Sequence, residues 1–314
     1  LCCIEIYLLY KIYKIYKTND ILDTNDILDT NDILDTNDIL DTNDILDIKY
    51  EYKIPKYIFT YWHTSNIDPV INFHIDIWKK KLPDWDIHII TMDNIDLYID
   101  KLYYEKYIHI SHQAFSDHLR LYLLEKYGGL WMDGSILILQ PSFIDNLYRD
   151  MINNKSELGM FEYKHKTVDT ESPYLENWFI MAPINSKTIK LWKREFDECH
   201  NIKIEDTCRN KIINSNTNIE STIRDSDYLM QHSILNMLCK NKKILLDNIS
   251  ILQATDSMFY IQDKSDWDTE KVGNIIFNDK LSTYENIYAI KFTGGFRNFF
   301  SKNFTKYKNS IDKL

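Results

Sequence analysis

The chain has 314 residues, 44% of them hydrophobic, and a formal net charge of −10. That charge is local, because residues 18–47 hold ten Asp and no Lys or Arg, and the remainder is formally neutral. No broad basic face is left to meet a nucleic-acid backbone, so nucleic acid is excluded as a partner, while the apolar content supports a large packed core.

Residues 1–17 are apolar and Tyr-rich, broken by Lys11, Lys14 and Lys17, and too short to span a bilayer. The first residue is not Met, so one expectation is a truncated anchor that would bring membrane association. The other is an apolar end of no consequence. Location is left open between the cytoplasm and a secretory lumen. Residues 18–47 are five identical copies of Thr-Asn-Asp-Ile-Leu-Asp. A period of six matches neither a helical 3.6 nor a heptad, and the paired Asp lack the Gly that a calcium-binding turn needs. The expectation is an acidic spacer, with a β-solenoid rung or a metal-loaded array as alternatives.

From residue 48 the pattern changes to alternating strands and helices, and residues 48–314 are expected to form one domain. Ile54–Trp62 reads as a strand with Pro55 at its edge. Asp68–Lys81 carries helical spacing through Val70, Phe73, Ile77 and Trp78, and Pro83 closes it. Ile87–Ile90 is a second strand, and Asn94–Tyr107 reads as a second helix.

The most informative stretch runs from Phe115 to Gln140. A helix capped by Ser111 or Ser116 is apolar nearly all round, yet carries Asp117 and Arg120 on one face, and buried charges are kept only when paired or used. Gly128 and Gly129 end it, and Leu130-Trp131-Met132 is a buried strand that places Asp133 at its carboxyl end. Open α/β sheets bind ligands there. Gly134 and Ser135 leave room beside the carboxylate.

Further on, Glu176–Ala182 reads as a buried strand, and Arg224–His232 begins a helix that Asp225 or Asp227 could cap. His232 is a candidate ligand or acceptor contact, and the remaining histidines read as incidental. Five of the seven glycines are Gly128, Gly129, Gly134, Gly294 and Gly295. The second cluster combines them with Lys291, Thr293 and Arg297, the chemistry of a diphosphate grip; a strand ending in a turn is the other reading. Five cysteines without Cys-x-x-Cys spacing are expected to be reduced.

Ser116-Asp117, Arg120, Leu124, Tyr127-Gly128-Gly129 and Trp131–Ser135 resemble the signature of sugar transferases of the family 32 and capsular polysaccharide synthesis type. Ile54-Pro55-Lys56, Leu82–Trp85 and the Asp227–His232 stretch are similar to other parts of the same group. The resemblance implies a GT-A-like fold: α/β, a Rossmann-type doubly wound mixed sheet with helices on both faces. It implies a glycosyltransferase moving sugar from a UDP- or GDP-sugar donor to a glycan or glycoconjugate acceptor, with retained configuration and Mn2+ or Mg2+ as cofactor. Asp133 would hold the metal and act in catalysis with Asp227. Asp117, Arg120, Gly129, Trp131, Ser135, Lys291, Thr293 and Arg297 would line the donor. Ser135 stands where the Asp-x-Asp form of the motif has its second Asp, and the chain is closer to the Asp-Ala-Thr-like variant. An inactive sugar-nucleotide-binding protein and a structural surface protein built on the repeat are the rival readings.

Overall fold

Proline lacks the N–H that a ladder needs, and the first strand starts beyond Pro55. The computed structural model describes residues 52–199, 212, 227–278, 280–284 and 286–313. The expected segments 1–17 and 18–47 lie outside the described residues, as do Cys2, Cys3, Cys208 and Asp225. In chain order the elements are β1 (Tyr57–Tyr61), α1 (Pro69–Lys81), β2 (Asp86–Ile90), α2 (Lys101–Tyr107), α3 (His112–Tyr127), β3 (Gly129–Met132) and β4 (Ile136–Ile138). They continue with α4 (Ser142–Asn154), β5 (Leu158–Glu162), β6 (Leu175–Ala182), α5 (Lys187–Cys199), α6 (Met230–Lys240) and β7 (Ile249–Gln253). The last are α7 (Tyr260–Lys264), α8 (Thr269–Phe277), β8 (Ala289–Lys291), α9 (Gly294–Lys302) and α10 (Phe304–Ile311).

Six strands form a mixed sheet in the order β2-β1-β3-β6-β5-β7. β1 is parallel to both β2 and β3, β6 runs antiparallel to β3 and β5, and β7 is parallel to β5. Side chains alternate across each strand, so successive residues feed opposite faces. Phe59, Trp131 and Ile180 join Leu119, Leu123, Trp192 and Leu235 from α3, α5 and α6 on one face. Ile58, Leu130, Met132 and Phe179 join Ile71, Trp78 and Ile144 from α1 and α4 on the other. The expected α/β sheet with helices on both faces is what the chain builds. β4 and β8 make a separate antiparallel pair, covered by a third apolar cluster that includes Phe296, Phe300 and Tyr307 of α9 and α10.

Local chemistry explains the boundaries. Asp68 caps α1, its Oδ1 accepting from Val70 N at 2.9 Å with Pro69 in the first turn. Ser111, not Ser116, caps α3, accepting from Ala114 N at 3.2 Å. Gly128 ends α3 at φ 65, where an added Cβ would stand 2.6 Å from the backbone nitrogen of Ile184.

Three expectations change. Asn94–Tyr107 is a 3-10 turn, Ile95–Leu97, followed by α2, because the Asn94 amide accepts from Thr91 N at 2.8 Å and donates to Ile89 O at 3.0 Å. Such local bonds compete with a helix start. The strand expected at the second glycine cluster is present as β8, but no turn ends it: Gly294 and Gly295 open α9. Cys199 is disulfide-bonded, whereas Cys239 is a free buried thiol. No helix among the described residues is long and apolar enough to cross a membrane.

Candidate active site

The strand β3 does deliver Asp133 to its carboxyl end, beside the ends of the parallel strands β1 and β2. The backbone N–H of Asp133 donates to Trp178 O at 2.9 Å, which ties the residue to β6. Its side chain is 27% exposed, the open point of a largely buried polar cluster. Oδ1 accepts from the Trp131 indole N–H at 3.0 Å and lies 3.5 Å from Arg120 Nη2. Oδ2 accepts from Lys291 Nζ at 3.1 Å, and the same ammonium donates to Ser135 Oγ at 2.6 Å. Burial pushes the Asp133 carboxyl up, but the Lys291 ammonium and Arg120 guanidinium outweigh it. With the Lys291 and Trp131 hydrogen bonds they hold the group below the usual carboxylate range.

Behind Asp133 the predicted Asp117–Arg120 pair forms within α3, one turn apart. The guanidinium also donates to Gln231 Oε1 at 3.0 Å and Ser116 Oγ at 3.3 Å, and lies 5.2 Å from the centre of the Trp131 ring. Asn177 Nδ2 donates to Asp117 Oδ1 at 3.2 Å and to Gln231 Oε1 at 2.8 Å, while Gln231 Nε2 returns to Asp117 O at 2.7 Å. Burial dominates at Asp117 and raises its carboxyl, against the opposing pulls of Arg120 and His232. Asn177 and Gln231 were not singled out from sequence, since a buried amide in an apolar strand or helix has no local signature. Next to them His232 Nε2 lies 3.6 Å from Glu176 Oε2 and its ring stacks on Tyr174.

His74, incidental by sequence, supports the motif turn. It is fully buried, with Nδ1 3.2 Å from Gly134 O and Nε2 2.7 Å from the Tyr307 hydroxyl. Burial, reinforced by the Lys291 charge, lowers its pKa to about 3. The neutral ring must then donate from Nδ1 to the carbonyl and accept the Tyr307 O–H at Nε2. Gly134 is required by the same packing, since a Cβ there would stand 2.6 Å from Ile71 Cγ2 of α1.

The other expected donor residues are dispersed. Gly129 begins β3, at the far end from Asp133, and an added Cβ would press on Tyr57 O at 2.8 Å. Close strand packing accounts for it, so its donor role is withdrawn. Arg297 does not join Lys291 at the motif; its guanidinium lies 5.2 Å from the centre of the Trp62 ring, just past β1. Thr293 is exposed at the start of α9 and makes no capping bond through its side chain. A Cβ on Gly294 or Gly295 would meet nothing within 4 Å, so this helix end is open. Asp227 lies in a 3-10 turn before α6, and its side chain is outside the described residues. Three buried polar atoms of this region, Thr60 Oγ1, Arg120 Nε and His232 Nδ1, have no hydrogen-bond partner among the described residues. Such atoms call for an explanation, and a polar ligand is one.

Mn2+ or Mg2+ at Asp133 is not matched by these surroundings. Both carboxylate oxygens already face N–H donors, and Ser135 offers a hydroxyl that Lys291 has taken. A dication there would have to share the carboxylate with an ammonium and a guanidinium that already face its two oxygens. Among the described residues no group of three or more His, Cys, Asp or Glu is placed to hold a metal ion.

The O-glycosyltransferase braB of Annulohypoxylon truncatum is 26% identical over 171 residues, a match that takes in 45% of this chain and 37% of that protein. Among solved structures, the galactosyltransferase LgtC in complex with donor and acceptor sugar analogs is 13% identical at a TM-score of 0.42, covering 82% of this chain and 96% of LgtC. The PaToxG glycosyltransferase is 14% identical at a TM-score of 0.33, covering 84% and 88%. The family profile described as capsular polysaccharide synthesis protein matches residues 30–302, most of the chain, and the protein belongs to that family.

Proposed function

We propose that the protein is a GT-A-like glycosyltransferase that takes a nucleoside-diphosphate sugar and moves its sugar to a hydroxyl of a glycan or glycoconjugate, with residues 48–314 as the catalytic unit. The observation that carries this reading is Asp133, a partly exposed carboxylate at the carboxyl end of the interior strand β3, held between Arg120 and Lys291 in an otherwise buried polar cluster. A carboxylate so placed accepts hydrogen bonds from the hydroxyls of a bound ribose or sugar. Asp117, Gln231 and Asn177 fix the Arg120 fork behind it, and Trp131 fixes Oδ1, so the acceptor atoms are oriented before the donor arrives. The open start of α9 presents backbone N–H groups with no carbonyl one turn back, which suits phosphate.

In the reaction an acceptor oxygen bonds to the anomeric carbon, the bond from that carbon to the diphosphate oxygen breaks, and its electron pair stays on the diphosphate. The acceptor proton leaves with the departing diphosphate. Retention of configuration and a UDP or GDP donor belong to the reading through the family resemblance. Release of nucleoside diphosphate from a panel of UDP- and GDP-sugars, with and without Mn2+, is the test. Release with an acceptor that is absent without protein supports it. No release from any donor, with tight sugar-nucleotide binding retained, overturns it in favour of an inactive binding protein.

A further inference from the structure

The pairing of β4 with β8 places Ile136 opposite Lys291, so the small second sheet brings Lys291 to the Asp133–Ser135 motif. The residue is anchored at three points. Its backbone N–H donates to Met258 O at 3.0 Å, its carbonyl accepts from Gln262 Nε2 at 2.7 Å, and the next residue, Phe292, donates to Ser135 O at 2.9 Å. The side chain is 11% exposed and its ammonium is therefore positioned rather than free-ranging. Of its three N–H groups, one goes to Asp133 Oδ2 and one to Ser135 Oγ; the remaining contact, Phe292 O at 3.5 Å, is at the limit of a hydrogen bond.

We propose that Lys291 is the built-in counter-ion of the donor diphosphate, set in place by Asp133 and Ser135. The protein therefore binds nucleoside diphosphate without a metal. This rests on the transferase reading above. Ser135 is the complement of the arrangement. A second carboxylate at that position would add a negative charge beside the phosphate, whereas a hydroxyl takes one N–H of the lysine without competing for its charge. As the bond from the anomeric carbon to the diphosphate breaks, the new negative charge falls on an oxygen beside a fixed ammonium with one weakly engaged N–H. Three and four residues on, the exposed Gly294 and Gly295 open α9 with its first N–H groups.

The experiment is calorimetric titration of UDP, and separately of GDP, into the full chain in EDTA and then in Mn2+. The expected result is binding of at least one of them in EDTA, changed by no more than roughly threefold on adding Mn2+, where a metal-bridged diphosphate would gain tenfold or more. Lys291→Met should weaken that binding by roughly tenfold to a hundredfold, the loss of one contact to a charged group, and Lys291→Arg should recover part of it. Binding that requires Mn2+ in the parent protein overturns the proposal and leaves the transferase reading standing. Lys291→Met binding as tightly as the parent in EDTA also overturns it. Binding of neither nucleotide in either condition removes the transferase reading and the proposal with it. Should Lys291→Met fail to fold, the comparison of EDTA with Mn2+ in the parent decides alone.

Discussion

Lys291 Nζ and Asp133 Oδ2 stand 3.1 Å apart across 158 residues of chain, and that contact joins the two glycine clusters of the sequence into one site. Each partner alone has an ordinary explanation, a strand-end acid and a basic residue before a helix. Together, with Arg120 on the other carboxylate oxygen, they make a carboxylate whose charge is already balanced. On the proposed function, the donor diphosphate meets an ion pair that exists before it binds.

Asp133→Asn keeps volume and shape but removes the charge between two cations. Donor turnover should fall by about a hundredfold or more, as when a preorganised polar group is lost from a reacting site. Stability should fall as well, by about 1–3 kcal/mol, because Lys291 and Arg120 lose their shared acceptor. Nucleoside diphosphate release and urea denaturation check the two halves, and turnover within a few-fold of the parent would remove Asp133 from the site.

Arg120 is a different case, since its side chain is 6% exposed and that of Asp117 is 13% exposed. Arg120→Met should cost about 3–5 kcal/mol of folding stability by leaving Asp117 as an uncompensated buried acid. Adding Asp117→Asn in the same chain should recover part of that loss, because the orphaned charge is gone. Purely additive losses in denaturant titrations would show that the pair is not coupled.

His74 sets an acid limit. Its folded pKa of about 3 lies below the ordinary 6.5, so the unfolded chain takes up a proton across that interval that the native ring refuses. The stability it contributes is present above pH 6.5 and is lost as pH falls toward 3. Between about pH 6.5 and about pH 5, above the range of ordinary carboxylates, the loss should be about 2 kcal/mol. His74→Gln cannot titrate and should show a flatter profile in the same interval. Equal pH dependence of the urea midpoint in both proteins would contradict the buried neutral assignment.

The two glycine clusters should respond oppositely to alanine. Gly128→Ala meets both a φ of 65 and the Ile184 nitrogen at 2.6 Å, and should destabilise by more than about 2 kcal/mol. Gly295→Ala has open space and no positive φ, and should leave stability unchanged or raise it by up to about 1 kcal/mol. On the proposed function the same methyl crowds the phosphate approach, so UDP or GDP binding weakens while the melting temperature does not fall. Thermal melts paired with titrations separate these effects.

By itself the sequence determined the strands and the first helix that lead up to β3, the buried strand β6, the helix stop at Gly128, the i, i+3 pairing of Asp117 with Arg120 and the position of Asp133 at a strand end. All of these are local, because periodicity, capping and glycine tolerance act over a turn or a strand and leave a pattern within about ten residues. Local reading also misled, since glycine scarcity made Gly129 look like a ligand contact when β1 packing requires it, and hid that Gly294 opens a helix. Only the tertiary structure decided that β4 pairs with β8, that Gln231 and Asn177 complete the Arg120 network, that His74 holds Gly134, and that Lys291 rather than Arg297 meets Asp133. Those contacts depend on how distant elements stack, and a buried amide, imidazole or lysine carries no sequence mark of the partner that will satisfy it.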